Sequence, residues 1–365
     1  MLAEYTYKRV LIMDAKPHLS PSIVTAFSAA ILFGASIPFA KEFLGNIPPV
    51  LLAGLLYLGS GLGLLLFRLI KDRGWQPSGL LKKEWLWLLC VIGFGGVLGP
   101  VLLMLGLTQT NAATASLLLN LEAVLTVLLA WVLFKESTDR RIIFGMLLIV
   151  IGSILLTWSN QISQPQWMGT IAIALACLCW AIDNNLTRSI STADPLFIAS
   201  TKGLVAGITN ISLAFMLHLS IPNWTQISYA LMIGLLGYGI SLVLFVLALK
   251  NLGTARTGAY FSTAPFIGAA IAILFFGGTT STLFWIATLL MAIGVWIHLT
   301  ESHEHRHTHE YLFHYHSHVH DEHHQHKHDF PWDGMEPHAH PHEHKSMIHT
   351  HRHYPDIHHR HKHKK

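Results

Sequence analysis

From about residue 22 to residue 300 the chain alternates apolar runs of roughly twenty residues with short polar or charged interruptions. A bilayer core about 30 Å thick needs roughly 20 apolar residues per helix. The runs therefore predict spans near 22–43, 47–69, 85–107, 111–135, 140–159, 167–188, 195–218, 227–249, 255–277 and 281–300. The expected fold class is an all-α membrane protein with ten transmembrane helices. Residues 1–21 read as a polar N-terminal segment without a signal peptide, because the first apolar run is long enough to span and stay. After residue 300 the apolar pattern ends, and histidine recurs at every second residue in several runs.

The charges between the runs give an orientation. Lys8, Arg9 and Lys16 precede the first span; Lys71, Arg73, Lys82 and Lys83 fill the second connection; Lys135, Arg140 and Arg141 mark the fourth. Arg188 marks the sixth, and Lys250 and Arg256 the eighth, whereas the third, fifth, seventh and ninth connections carry no Lys or Arg. The positive-inside rule then places both termini in the cytoplasm and the chain in the cytoplasmic membrane. The composition agrees, with 52% hydrophobic and only 12% charged residues against about 25% charged in soluble domains. The net charge of +4 resides partly in those connections, so it predicts membrane retention and no nucleic-acid partner. Cys90, Cys177 and Cys179 lie inside apolar runs and form neither a disulfide framework nor a zinc spacing.

The spans also repeat. Leu105–Thr114, leading into the fourth, aligns with Leu247–Arg256, leading into the ninth, and Phe33–Lys41 in the first aligns with Trp180–Arg188 in the sixth. Five helices per copy is odd, so the second copy (160–300) must cross the membrane in the opposite sense to the first (22–159). Inverted repeats of this kind suit a secondary transporter with its site near the midplane between the halves.

Charged groups within hydrocarbon cost about 2.5–3.5 kcal/mol each at a helix centre on insertion scales, so they are functional candidates by default. Here they are Glu122 in the fourth span, Asp183 in the sixth and Lys202 in the seventh. Either carboxyl could exchange a proton during transport, and Lys202 could receive an anionic group; the structural alternative is a static ion pair that joins helices. Asn120, Asn184 and Asn185 offer donors and acceptors to a solute, or hydrogen bonds between helices. Cys179 shares a helix face with Asp183 and could touch a soft metal, or be an inert buried thiol. Trp85, Trp87, Trp158, Trp167 and Trp224 fit interfacial anchoring, and the glycines of the third span, ending in Gly99-Pro100, fit close packing or a kink. No nucleophile–base set or phosphate loop is present, so no enzyme is expected and no cofactor is required.

Gly34-Ala-Ser followed by Lys41, Pro49 and Pro195 opening their spans, Thr110-Asn-Ala-Ala-Thr-Ala-Ser116, Phe134-Lys135-Glu136 and Gly145 together resemble the drug/metabolite transporter superfamily, in its EamA type with two five-helix repeats. The resemblance covers about residues 20–300. It implies a carrier of amino acids, metabolites, drugs or other small solutes, often moved outward. The second copy departs from it, with Phe276-Gly277-Gly278 where the first has Phe134-Lys135-Glu136.

Residues 301–365 hold all the histidines except His18, His218 and His298, together with Pro331, Pro337, Pro341 and Pro355. Few aliphatic residues and many charges predict a disordered segment without a core. His303, His305, His307 and His309, then His314, His316, His318 and His320, then His323, His324, His326 and His328 form a ladder of interchangeable imidazoles. Such a ladder predicts binding of Zn, Ni, Co or Cu, with a pH-responsive or solubilising tail as the alternative. The sequence therefore carries three functional readings: a solute exporter with a metal-binding tail, a transition-metal transporter whose tail collects its cargo, and a membrane-anchored metal buffer or sensor. The expected partners are the substrate, the bilayer and metal ions, with a homodimer compatible with any of them.

Overall fold

The structure, a computed structural model, describes residues 21–75, 78, 80–134, 140–158, 166–187, 190, 194–278, 280–300, 303–309, 312–318, 338–344 and 347–353. Among them nine helices are long and apolar enough to cross a membrane: α1 (Pro21–Phe43), α2 (Pro49–Lys71), α3 (Glu84–Gln109), α4 (Ala112–Leu133), α5 (Arg140–Trp158), α6 (Trp167–Thr187), α7 (Pro195–Met216), α8 (Trp224–Ala248) and α9 (Thr257–Phe276). A tenth, α10 (Thr282–Leu299), completes the set. Side-chain chemistry sets several starts. Asn111 accepts from Thr114 N–H ahead of α4, Asp194 from Leu196 N–H ahead of α7, and Ser281 from Phe284 N–H ahead of α10. Pro49 and Pro195 occupy the first helical turn, where a missing N–H costs nothing.

Three features differ from a set of regular spans joined by loops. Helical hydrogen bonding continues over Ser241–Phe261, so the eighth connection is not the loop expected there. Its first-copy counterpart has Asn111 to cap a new helix, while the aligned position here is Gly253, which has no side-chain acceptor. Secondly, α3 and α8 each contain a π-helical stretch, Ile92–Leu98 and Leu235–Ile240. Thirdly, turns interrupt the fourth and ninth spans at Leu119–Asn120 and Ser262–Thr263. In both copies the interruption follows the start of the π-helical stretch at the same spacing, so the inverted repeat is visible in backbone irregularities as well as in sequence.

Packing follows the same symmetry. The pairs α2 with α7, α4 with α9 and α5 with α10 join equivalent helices of the two copies, while α1 on α8 and α9 mirrors α6 on α3 and α4. Close approach at α2 and α7 needs glycine: a Cβ on Gly203 would meet Gly61 Cα at 2.7 Å, and one on Gly61 would overlap the Leu204 amide. Trp85, Trp87, Trp158, Trp167 and Trp224 are all exposed, as interfacial anchors require.

Beyond the bundle, the described tail backbone forms strands β1 (His303–His309), β2 (Leu312–His318), β3 (His338–His344) and β4 (Met347–His353). β1 pairs antiparallel with β4 and β2 with β3. Where composition predicts disorder, the period-two alternation supplies a strand pattern. Two-stranded ladders are marginal in water, so these are local pairings and not a domain with a core. His320, His323, His324, His326 and His328 lie outside the described residues, as do residues 1–20 and Lys135-Glu136.

Candidate functional site

The third span builds one wall of the site. Within its π-helical stretch the Gly99 N–H bonds to the Phe94 carbonyl, and Pro100, next in line, has no N–H. The Gly95 carbonyl is thereby left to other donors. It accepts from the Tyr57 hydroxyl of α2 at 2.8 Å and from the Trp180 indole N–H of α6 at 3.0 Å. The neighbouring Gly96 carbonyl receives the Asn210 amide of α7 at 3.5 Å. One irregular turn thus ties α3 to three helices, in agreement with the tendency of non-helical membrane backbone to line a site. Glycine is required at 95 for a second reason, because a Cβ there would overlap the Asp183 carboxylate.

Asp183 and Lys202 form an ion pair between α6 and α7, with Asp183 buried and Lys202 partly buried. Thr187 donates to the other Asp183 oxygen at 3.1 Å. Of the two arrangements the sequence leaves open for Lys202, a structural pair or an anion receptor, the pair is formed with Asp183, and Glu122 engages a different group. Asn184 donates to Glu122 Oε1 at 2.8 Å and lies 3.4 Å from the Thr126 hydroxyl. Asn185 donates to the carbonyls of Thr126 at 3.1 Å and Ala181 at 2.8 Å, while its buried Oδ1 has no partner among the described residues. Consecutive residues of α6 therefore face opposite neighbours: Asp183 turns to α3 and α7, Asn184 and Asn185 to α4. Asp183 is buried, whereas Glu122 is half-buried and Asn184 exposed.

Asn120 donates to the Leu117 carbonyl at 2.9 Å, at the interruption of the fourth span, and so serves the local turn. Cys177 and Cys179 are buried free thiols, and Asp183 is engaged by Lys202 and Thr187, so the soft-metal reading of Cys179 with Asp183 has no supporting geometry. Among the described residues no group of three or more His, Cys, Asp or Glu side chains converges.

An aromatic series continues from the cluster. Tyr57 lies 5.7 Å from Tyr238 between ring centroids, Tyr238 is 5.8 Å from Phe33, and Phe33 is 5.3 Å from Phe261. Tyr57, Trp180 and Tyr238 are not legible in the sequence, since aromatic residues within spans look like packing, and Thr126 and Asn210 carry no charge to single them out. One signal was present: a proline four or five residues after paired glycines frees carbonyls that something must satisfy. An open, mainly apolar pocket of about 320 Å³ is lined by Leu121, Val150, Ile154 and Trp158 among others and includes none of the charged side chains of this cluster.

The sequence matches the EamA-like transporter family twice, over residues 20–158 and 167–300. It is 27% identical over 292 residues to an uncharacterized transporter of Methanothermobacter thermautotrophicus, covering 75% of this chain and 84% of that protein. It is 24% identical over 301 residues to a probable amino-acid metabolite efflux pump of Escherichia coli, covering 76% and 94%. A probable 4-amino-4-deoxy-L-arabinose-phosphoundecaprenol flippase subunit of Pseudomonas aeruginosa is 37% identical over 112 residues, which is 29% of this chain and 93% of the relative. A solved crystal structure shares the fold at a TM-score of 0.56 and 19% identity, covering 76% of this chain and 96% of its own. Two matched copies, ten apolar spans and inverted packing agree: this multi-pass membrane protein belongs to the EamA-like transporter family, within the drug/metabolite transporter superfamily.

Proposed function

We propose that the protein is a secondary transporter that exports a small amphipathic solute carrying both charges, such as an amino acid or a derivative of one. The observation that carries this reading is the Asp183–Lys202 pair on one side of α6, with the Glu122–Asn184 contact on its other side, inside an apolar bundle where the two repeats meet. A buried pair of opposite charges can exchange its internal partner for the ends of a zwitterion, the ammonium going to Asp183 and the carboxylate to Lys202. Neither protein charge is then left bare in hydrocarbon. The aromatic series from Tyr57 to Phe261 supplies an apolar surface for a side chain. Glu122 is positioned to carry a coupling proton. The relative named as an amino-acid metabolite efflux pump supports the solute class.

In this reading both termini are cytoplasmic and the tail binds Zn, Ni, Co or Cu outside the permeation path. The strand register supports it by setting histidines opposite one another, His305 with His351 and His307 with His349 in one ladder, His314 with His342 and His316 with His340 in the other. The tail also sustains the second reading, in which the metal is the cargo.

Proteoliposomes holding the full-length protein, screened with radiolabelled amino acids and with zinc and nickel ions against empty vesicles, separate the two. The proposal expects flux of at least one amino acid and none of either metal. Metal flux alone would replace it with the second reading.

A further inference from the structure

A second charge cluster, separate from Asp183 and Lys202, surrounds one buried arginine. Arg68, in the last turn of α2, is 1% exposed. Its Nε donates to Asp194 Oδ2 at 2.6 Å and lies 3.6 Å from Asp72 Oδ2, while Lys71 stands 3.9 Å from the other Asp72 oxygen. The guanidinium carbon sits 5.4 Å from the Trp75 ring and 5.3 Å from the Phe197 ring, which meet each other at 82°. Asp194 divides its oxygens: Oδ1 caps α7 through Leu196 N–H at 2.9 Å, and Oδ2 takes Arg68. Its backbone N–H bonds to the Ser78 carbonyl at 3.2 Å, which ties the α6–α7 connection to the α2–α3 connection.

Position gives this cluster its meaning. Arg68 belongs to the first repeat and Asp194 to the second, so the bond joins α2 and α7, equivalent helices of the two copies that pack together. At 1.5 Å per residue, Arg68 lies about 16 Å along α2 from Tyr57, and Asp194 about 12 Å along α7 from Lys202. The cluster therefore stands between the candidate site and one membrane face. The space between is packed by Leu80, Leu88, Ile190, Phe197 and Ile198 together with Tyr57 itself. A buried guanidinium that loses its carboxylate is costly unless water reaches it, so parting of this pair goes with opening of this face to solvent.

We propose that Arg68 and Asp194 form a latch between the repeats that closes the access path on the face of the α2–α3 and α6–α7 connections, and that the latch parts when this face opens. Its place in a transport cycle rests on the transporter reading; the closure itself does not, and the test reads closure directly.

The experiment uses full-length protein in lipid nanodiscs with Cys90, Cys177 and Cys179 replaced by Ala, and a single reporter thiol introduced by Ser200→Cys. Ser200 is 2% exposed and lies six residues beyond Asp194, about 9 Å deeper along α7. Asp194→Ser removes the charge yet keeps a side-chain acceptor for the helix cap, and Arg68→Gln removes the partner. Reaction of the thiol at position 200 with an impermeant maleimide is expected to quicken about tenfold in both variants, as the population shifts to the open form. A second reporter, Ser153→Cys in α5, buried elsewhere in the bundle, is expected to keep its rate. Unchanged labelling at position 200 would overturn the latch, and an equal rise at position 153 would overturn it too, since that means general loosening.

Discussion

At the residue scale, the Asp183–Lys202 pair makes separable predictions for stability and function. Breaking a buried pair by removing one partner typically costs about 3–5 kcal/mol, while removing both can be close to neutral. Lys202→Met alone should therefore lower the unfolding midpoint in detergent markedly, and Asp183→Asn with Lys202→Met should recover most of the loss. If the double variant is as unstable as the single, the pair is not the source of the effect. Glu122→Gln keeps an acceptor for Asn184 but cannot ionise. It is expected to insert normally and to lose flux driven by a pH gradient, and normal pH-driven flux in that variant would remove Glu122 from coupling. These positions were legible in the sequence because charges within apolar runs stand out. Their partners were not: nothing local to Glu122 points to Asn184, 62 residues away, and the choice of Asp183 over Glu122 as partner of Lys202 depends on which side of α6 each neighbour occupies.

At the element scale, span limits were legible almost throughout, because twenty apolar residues in succession have few alternatives in a chain of this composition. The interior of the spans was not. The π-helical stretches and the interruptions at Leu119–Asn120 and Ser262–Thr263 depend on which carbonyls find donors from other helices, and hydropathy carries none of that. The third span offers a controlled comparison. A Cβ on Gly93 meets nothing within 4 Å, whereas on Gly95 it meets Asp183. Gly93→Ala should change stability by no more than about 0.5 kcal/mol against destabilisation, and Gly95→Ala should cost about 1–3 kcal/mol through overpacking. Equal unfolding midpoints for the two would contradict the packing described for α3 against α6. The Arg68–Asp194 bond belongs to the same class of feature. In sequence both residues look like charges at span ends, and only the packing of α2 on α7 joins them.

At the scale of the whole molecule, the inverted repeat was readable from the odd number of spans per copy, and the structure extends it to packing and to backbone irregularity. The tail is the opposite case: its composition leads only to an expectation of metal binding, and its pairing of β1 with β4 and β2 with β3 required a structure, because period-two histidines fit many registers. Deleting residues 302–365 should abolish zinc binding measured by titration and leave solute flux in metal-free vesicles unchanged. Retained zinc binding would place the ligands in the bundle. The central claim, that the charged cluster where the repeats meet is the transport site, is tested most directly by amino-acid flux in proteoliposomes of the Asp183→Asn, Lys202→Met double variant at matched protein density. Flux at the level of empty vesicles is expected from a protein as stable as the parent, and flux equal to the parent's would contradict a transport role for this cluster.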